Sequence, residues 1–480
     1  MIMHLRILTI TLLLCTFSPI FAANGSKPNV LFIITDDQSY DTIRSLGHTD
    51  IDTPNLDRLT AQGTTFTHAY NMGSWSGAVC VASRRMLISG RSLWHAAAPN
   101  LSLKEQSAAG KLWPQRMAAR GYETYMSGKW HLDADAATCF QHTVHVRPGM
   151  PRDHLVCYDR PVVGKPDPWN PSDPKFEGFW KDGKHWSEVL GDDSVAFIEN
   201  AMKSQSPFFM YLAFNAPHDP RQSPKEFVDR YPLDRIEIPK SYMELYPEKD
   251  RIGCGPDLRD EKLAPFPRTE HAVKVHRQEY YAIITHMDAQ LGRILNALQE
   301  SGKANNTWII FTSDHGLACG HHGLMGKQNM YDHSIRVPFI IAGPGVKAGE
   351  KISEPVYLQS AMATALDLAG ADLTDIEFQS LLPILKGDST GLDAVYGAYL
   401  DLQRSVTDDG WKLILYPEAK VSKLFNLEKD PDELRNLASD PSTLERRKKL
   451  FAKLQALQKN LADPLDLKDV YKELNSPSSR

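Results

Sequence analysis

The chain has 480 residues, 42% of them hydrophobic and 24% charged, with 54 Lys and Arg against 59 Asp and Glu and a net charge of −5. At roughly 100–200 residues per domain, that is about two to four domains, or one large domain with a smaller annex. The balance excludes a disordered tail, a collagen and a coiled-coil rod, and it lacks the basic field that drives nucleic-acid binding.

Residues 1–22 carry His4 and Arg6, an apolar run from Ile7 to Phe17, and the small residue Ala22 after Pro19-Ile20-Phe21. This reads as a secretory signal peptide, about half the length of a membrane span, and no later stretch reaches span length. The expected location is secreted or periplasmic. Cleavage leaves five cysteines: Cys80, Cys139, Cys157, Cys254 and Cys319. An odd number in an oxidising compartment marks one with another task. Cys139 and Cys157 are close enough in sequence to pair. Cys254 and Cys319 pair only if the fold brings them together, and Cys80 is the candidate odd one.

Four apolar runs then end abruptly in chemistry-bearing residues. Val30 to Thr35 runs into Asp36 and Asp37; Tyr122 to Met126 into Gly128-Lys129-Trp130-His131; Phe208 to Phe214 into Asn215-Ala216-Pro217-His218; and Trp308 to Ser313 into Asp314-His315-Gly316. Uninterrupted apolar runs suit strands buried on both faces, hence a mainly parallel sheet. Helical patterns lie between them at Thr53–Gln62, Leu112–Arg120 and Tyr280–Gly302. The alternation predicts an α/β fold with helices on both faces of the sheet. Ligands of such sheets bind at the carboxyl ends of the strands, so one shared site is expected there. Two stretches, Asp133 to about Ser187 and Ile236 to about Pro267, are rich in Pro, Gly, Trp and His and read as long functional loops. Residues 385–480 read as a smaller α+β annex to an α/β domain at 23–384. The annex holds a strand at Trp411–Tyr416 and a closing helix striped by Leu450, Leu454, Leu457 and Leu461.

Asp36, Asp37 and Asp314 gathered at one edge repel unless a cation lies between them, and oxygen ligands suit a hard ion. Cys80 opens a short helical segment and is followed one turn later by Arg84. A helix N-terminus there favours an anion.

With these motifs in order, the chain resembles the type I sulfatases of the alkaline-phosphatase-like superfamily. Cys80-Val81-Ala82-Ser83-Arg84 is similar to the signature whose cysteine is oxidised to Cα-formylglycine, and residues 121–131 are similar to the second signature. Thr53-Pro54-Asn55-Leu56-Asp57, Gly323-Leu324 with Lys327, Arg336-Val337-Pro338 and Leu424-Phe425-Asn426-Leu427 match in order as well. The resemblance covers nearly all of residues 28–437. It implies that Asp36, Asp37, Asp314 and His315 hold Ca²⁺, with Mg²⁺ also compatible. It further implies that hydrated formylglycine at position 80 is the nucleophile, aided by Arg84. Lys129 and Lys327 would bind sulfate oxygens, His218 would protonate the leaving alcohol, and His131 would restore the aldehyde. His322, which fits a Gly-x-His-Gly pattern, and Arg221, Gln222 and His185 are the candidates for binding substrate, the last three by reading a sugar. Three positions depart from the common pattern: Ala82 for Pro, His315 for Asn, and Gln359 where members often have Asp. Ala82 points to a radical-type anaerobic maturase as the partner. The implied activity is sulfate-ester hydrolysis on a sulfated carbohydrate. The alternatives are a formylglycine-dependent phosphodiesterase or phosphonate monoester hydrolase, and a non-catalytic sulfated-glycan-binding protein.

Overall fold

The computed structural model describes residues 27–151 and 155–475, so the segment read as a signal peptide lies outside the described residues. An eight-stranded sheet forms the centre. Its strands in chain order are β1 (Asn29–Thr35), β2 (Thr64–Phe66), β3 (Glu123–Lys129), β4 (His142–Arg147), β5 (Phe208–Ala213), β6 (Thr307–Ser313), β7 (Phe339–Ala342) and β8 (Glu350–Ile352). The spatial order is β8-β2-β7-β6-β1-β5-β3-β4. Only β7 runs antiparallel to its neighbours. The mainly parallel sheet is therefore as expected.

Strand periodicity explains the layers. Leu31 and Ile33 point to one face and join Ile283, Ile284, Met287 and Leu291 of a 31-residue helix, Glu270–Glu300. Val30, Phe32 and Ile34 point to the other and join Trp113, Met117 and Leu366. β1 is buried along its whole length, which is why it reads as an unbroken apolar run. The long helix begins ten residues before the predicted Tyr280, where the Thr269 side chain accepts the Ala272 N–H at 3.1 Å. Its polar first turns hid that start.

The stretch from Asp133 is less loop-like than its composition suggests. It contains a short helix (Ala136–Cys139) and the edge strand β4, which pairs parallel with β3. The alternation His142-Thr143-Val144-His145-Val146-Arg147 carried that strand, and Val144 and Val146 project to solvent as suits an edge. No disulfide joins the proposed pairs: Cys139, Cys254 and Cys319 are buried free thiols, as is Cys80. Cys139 meets the Ser107 hydroxyl at 3.4 Å, and Cys254 meets the Gln328 carbonyl at 3.2 Å.

The C-terminal sheet has four antiparallel strands, β9 (Val395–Tyr399), β10 (Gln403–Asp408), β11 (Trp411–Tyr416) and β12 (Val421–Asn426). A fifth, Gly73–Ser74, joins β9 in parallel. The chain just ahead of Cys80 is thereby fixed to the C-terminal sheet. Helix Leu444–Asn460 closes that sheet through buried Leu450, Phe451 and Leu454.

Candidate active site

Four adjacent parallel strands, β6, β1, β5 and β3, end at one edge of the sheet, and each delivers a polar group there. β1 delivers Asp36 and Asp37, β6 delivers Asp314 and His315, β3 ends in Lys129, and the turn after β5 carries His218. The carboxyl ends are stitched together: the Asp36 N–H donates to the Ala216 carbonyl at 3.1 Å, and the Asp314 N–H donates to the Thr35 carbonyl at 3.1 Å. Gly128, at φ 93°, makes the last step of β3 possible, because a Cβ there would lie 1.9 Å from the Ala213 carbonyl oxygen.

The helix Val79–Ser89 points its first turn at this edge and carries Cys80. The Cys80 sulfur lies 3.3 Å from His315 Nε2, 3.5 Å from Lys327 Nζ and 4.0 Å from Asp37 Oδ1. Burial alone would raise the thiol, yet Lys129, Lys327, His315 and the His131 hydrogen bond hold it well below its ordinary value. One turn along the helix, Arg84 Nε donates to Asp314 Oδ2 at 2.9 Å and Nη1 to the Lys129 carbonyl at 2.8 Å. Arg84 therefore braces two strand ends rather than hydrogen-bonding residue 80. Ser83 and Asn71 both donate to the Asp314 carbonyl.

Lys327 Nζ donates to both oxygens of Asp37 at 2.9 Å and lies 3.2 Å from His218 Nε2. Lys129 Nζ donates to Asp36 Oδ2. His218 is oriented by its Nδ1, 2.8 Å from the Asp219 carbonyl, with the Asp219 carboxylate at 3.2 Å. The His131 ring occupies space that Gly149 leaves open, since a Cβ there would fall 2.3 Å from Cε1. Burial, countered in part by the hydrogen bond to Cys80, lowers the His131 pKa and favours a neutral imidazole.

The site fits a hard cation. One ligand atom each from Asp36, Cys80, Asp314 and His315 lie within 4.8 Å of one another, and so do those of Asp36, Asp37, Cys80 and His218. Asp36 Oδ1 is buried with no hydrogen-bond partner. Burial first, then Cys80, Asp314 and Asp37, push the Asp36 carboxyl well above its usual range despite Lys129.

Above the cluster opens a cavity of about 530 Å³, bounded by Cys80, His131, His218, Lys327, Arg259 and Met150 among others. Four of the predicted site residues are not among those lining this cavity. His322 sits in the turn after β6 with left-handed backbone, and its ring stacks on Tyr331 at 3.8 Å. Its Nε2 is 3.1 Å from the Glu433 carbonyl and its Nδ1 3.2 Å from His333. Arg221 is buried over the Tyr280 ring beside His276, 3.4 Å away. The Gln222 side chain accepts the Phe179 N–H at 2.8 Å, and His185 stacks on that same Phe179 while its Nε2 meets the Gln222 carbonyl at 2.8 Å. These last two residues lock the loop after β5 to the segment preceding helix Trp186–Ala201. All four share one physical reason: the residues next to a site hold its loops from behind, and sequence proximity does not separate the two faces. Conversely, Arg259, Asp260 and Gln328 line the cavity and were not singled out. The dense charges of Arg259-Asp260-Glu261-Lys262 in the second long loop were the available signal.

A family model described as "Sulfatase" matches residues 28–371, and one described as "N-sulphoglucosamine sulphohydrolase, C-terminal" matches residues 320–460. The chain is 28% identical to an arylsulfatase of Clostridium perfringens, over 91% of this chain and 96% of that protein. It is 26% identical to an N-acetylglucosamine-6-O-sulfatase of Bacteroides thetaiotaomicron, over 95% and 91%. Among solved structures, it is similar to a protein in complex with its substrate D-glucosamine-2-N,6-O-disulfate, with TM-score 0.72, 22% identity and coverage of 92% and 99%. It is also similar to the phosphonate monoester hydrolase of Silicibacter pomeroyi, with TM-score 0.70, 19% identity and coverage of 91% and 96%. The two structural likenesses establish the fold; the family match over most of the chain establishes the family, and the chain belongs to the sulfatase family of sulfuric ester hydrolases.

Proposed function

We propose that this sulfatase is exported and removes sulfate from a sulfated carbohydrate, using Cys80 matured to formylglycine and one divalent cation, Ca²⁺ or Mg²⁺. The observation that carries this reading is the convergence on Cys80 of two lysines, three carboxylates and two histidines, all buried, beneath a cavity open to a ligand. Asp36, Asp37, Asp314 and His315 would hold the cation, which supplies positive charge to the nucleophile and to one sulfate oxygen. Formylglycine, when formed, supplies an oxygen nucleophile that the thiol lacks.

The chain's own residues do the rest. Lys129 and Lys327 neutralise the charge that grows on the sulfate oxygens. The helix start beneath Cys80 favours that same anion. His218 Nε2, within 3.2 Å of Lys327, donates a proton to the leaving sugar oxygen. Neutral His131 accepts a proton from the residue-80 side chain. Ala82 favours maturation by a radical-type enzyme. Export rests on residues 1–22. Among the described residues, no helix is long and apolar enough to cross a membrane. The carbohydrate class is supported by the B. thetaiotaomicron relative and by the neighbour bound to a sulfated glucosamine.

A second reading, phosphonate monoester hydrolysis, is favoured by the fold likeness to the S. pomeroyi enzyme. Protein co-produced with a radical maturase tests both: sulfate release from sulfated monosaccharides supports the first. Turnover of phosphonate monoesters alone would replace it with the second.

A further inference from the structure

We infer that Arg259 is a specificity-determining residue that binds a second anionic group on the sugar carrying the scissile sulfate, an inference that rests on the carbohydrate sulfatase reading above. Arg259 heads the turn Arg259–Leu263 and stands in the cavity wall with its side chain 34% exposed, while the neighbouring Asp260 side chain is only 4% exposed. Arg259 Nη2 lies 3.4 Å from His218 Nε2, and Lys327 Nζ lies 3.2 Å from the same nitrogen. Two cations thus meet at the nitrogen read as the proton donor. If His218 meets the leaving oxygen, Arg259 stands next to the sugar that carries it.

The guanidinium is held in place yet keeps donors to spare. Nε and Nη2 both donate to Asp260 Oδ1, at 2.9 and 2.5 Å, and Asp219 Oδ1 is 3.7 Å from Nη2. Among the described residues, Nη1 meets the thioether of Met150, a weak acceptor. Asp260 is shared: Lys327 Nζ lies 3.6 Å from it, and Gln328 donates to it at 2.7 Å. Asp219 is engaged by His218 at 3.2 Å. A guanidinium fixed along one edge by a carboxylate, and met on the other by only a thioether and an imidazole among the described residues, is prepared for a sulfate or carboxylate, which its planar fork matches. Lys129 and Lys327 already face the scissile sulfate, so a third cation at the sugar position has an anion of the sugar as its natural partner.

The test uses Arg259→Gln and Arg259→Lys with four esters: 4-nitrophenyl sulfate, N-acetylglucosamine 6-sulfate, D-glucosamine-2-N,6-O-disulfate, and a 2-sulfated hexuronate. Binding of the three sugars to Cys80→Ser protein, with and without Arg259→Gln, is measured by calorimetry as a readout independent of turnover. The expected result is a loss of about 10- to 100-fold for one of the two dianionic sugars, in KM and in affinity. The singly charged esters and kcat stay near the parent values, and Arg259→Lys recovers part of the loss. Loss on the disulfate assigns a second sulfate as the ligand; loss on the hexuronate assigns a carboxylate. Equal losses on all esters, or a fall in kcat with a shifted pH profile, would mean that Arg259 acts through His218 and would overturn the inference. Sulfate release by the parent enzyme with Arg259→Gln indifferent on every ester overturns this inference alone. Absence of sulfate release from any ester overturns the sulfatase reading beneath it as well.

Discussion

The protein buries two dense ionic clusters, and they differ in kind. The first gathers Asp36, Asp37, Asp314, His315, Lys129 and Lys327 around Cys80 at the strand ends. The second lies where the C-terminal sheet meets the chain after β6. There Lys412 pairs with Asp332 and, at 2.8 Å, with Glu433, while Arg336 pairs with Asp332 at 3.2 Å. The Asp332 N–H also donates to Glu433 at 2.7 Å, and His322 is packed alongside. Every carboxylate of both clusters has a cation beside it, but the second cluster packs its charges into the interior. The first cluster adds a thiol drawn toward its anion and an open cavity above. Buried charge alone therefore does not mark a catalytic site. Buried charge gathered on a perturbed nucleophile, and open to a ligand, does.

That contrast predicts opposite responses to mutation. Cys80→Ala should cut sulfate release by about 10⁴- to 10⁶-fold while leaving the melting temperature near that of the parent; a large loss of stability would make the first cluster structural too. Lys412→Met should do the reverse. It strands Glu433 and leaves Asp332 with Arg336 alone, so denaturant unfolding should show a loss of about 3–5 kcal/mol, with activity per folded molecule near the parent value. Calcium should stabilise the first cluster only: at a hundredfold excess over its Kd, thermal unfolding should report a gain of about 2.7 kcal/mol. Asp314→Asn should abolish that gain, and chelator should abolish activity.

The smallest expected effect is at His322. Its removal by His322→Gln should cost about 1–3 kcal/mol with activity little changed. The pH dependence gives it a signature. Burial holds the imidazole down to about 3, against about 6.5 when unfolded. The unfolded chain binds the proton more readily, so this contribution is full above about pH 6.5 and is lost progressively as pH falls toward about 3. Melting temperatures across that window should fall less steeply in His322→Gln than in the parent.

Much of the active site was legible because strand-end chemistry is local. An apolar run ending in Asp-Asp, Lys or Asp-His states both the strand and the group it delivers. Cys80 and Arg84, four residues apart on one helix, were legible for the same reason. What sequence could not give was the direction of side chains in turns. His322, three residues beyond Cys319, rotates away from the site because its backbone is left-handed, φ 53°. Arg259 reaches His218 across 41 residues, a contact that only the folding of the second long loop creates. The union of Gly73–Ser74 with the C-terminal sheet was invisible likewise, since two residues carry no strand period.

The most direct test of the account is the chemical state of residue 80. Mass spectrometry of the tryptic peptide 59–84, from protein made with a working radical-type maturase, should find an aldehyde or its hydrate at Cys80. An unmodified thiol or a disulfide at that position would contradict the covalent mechanism proposed for this site.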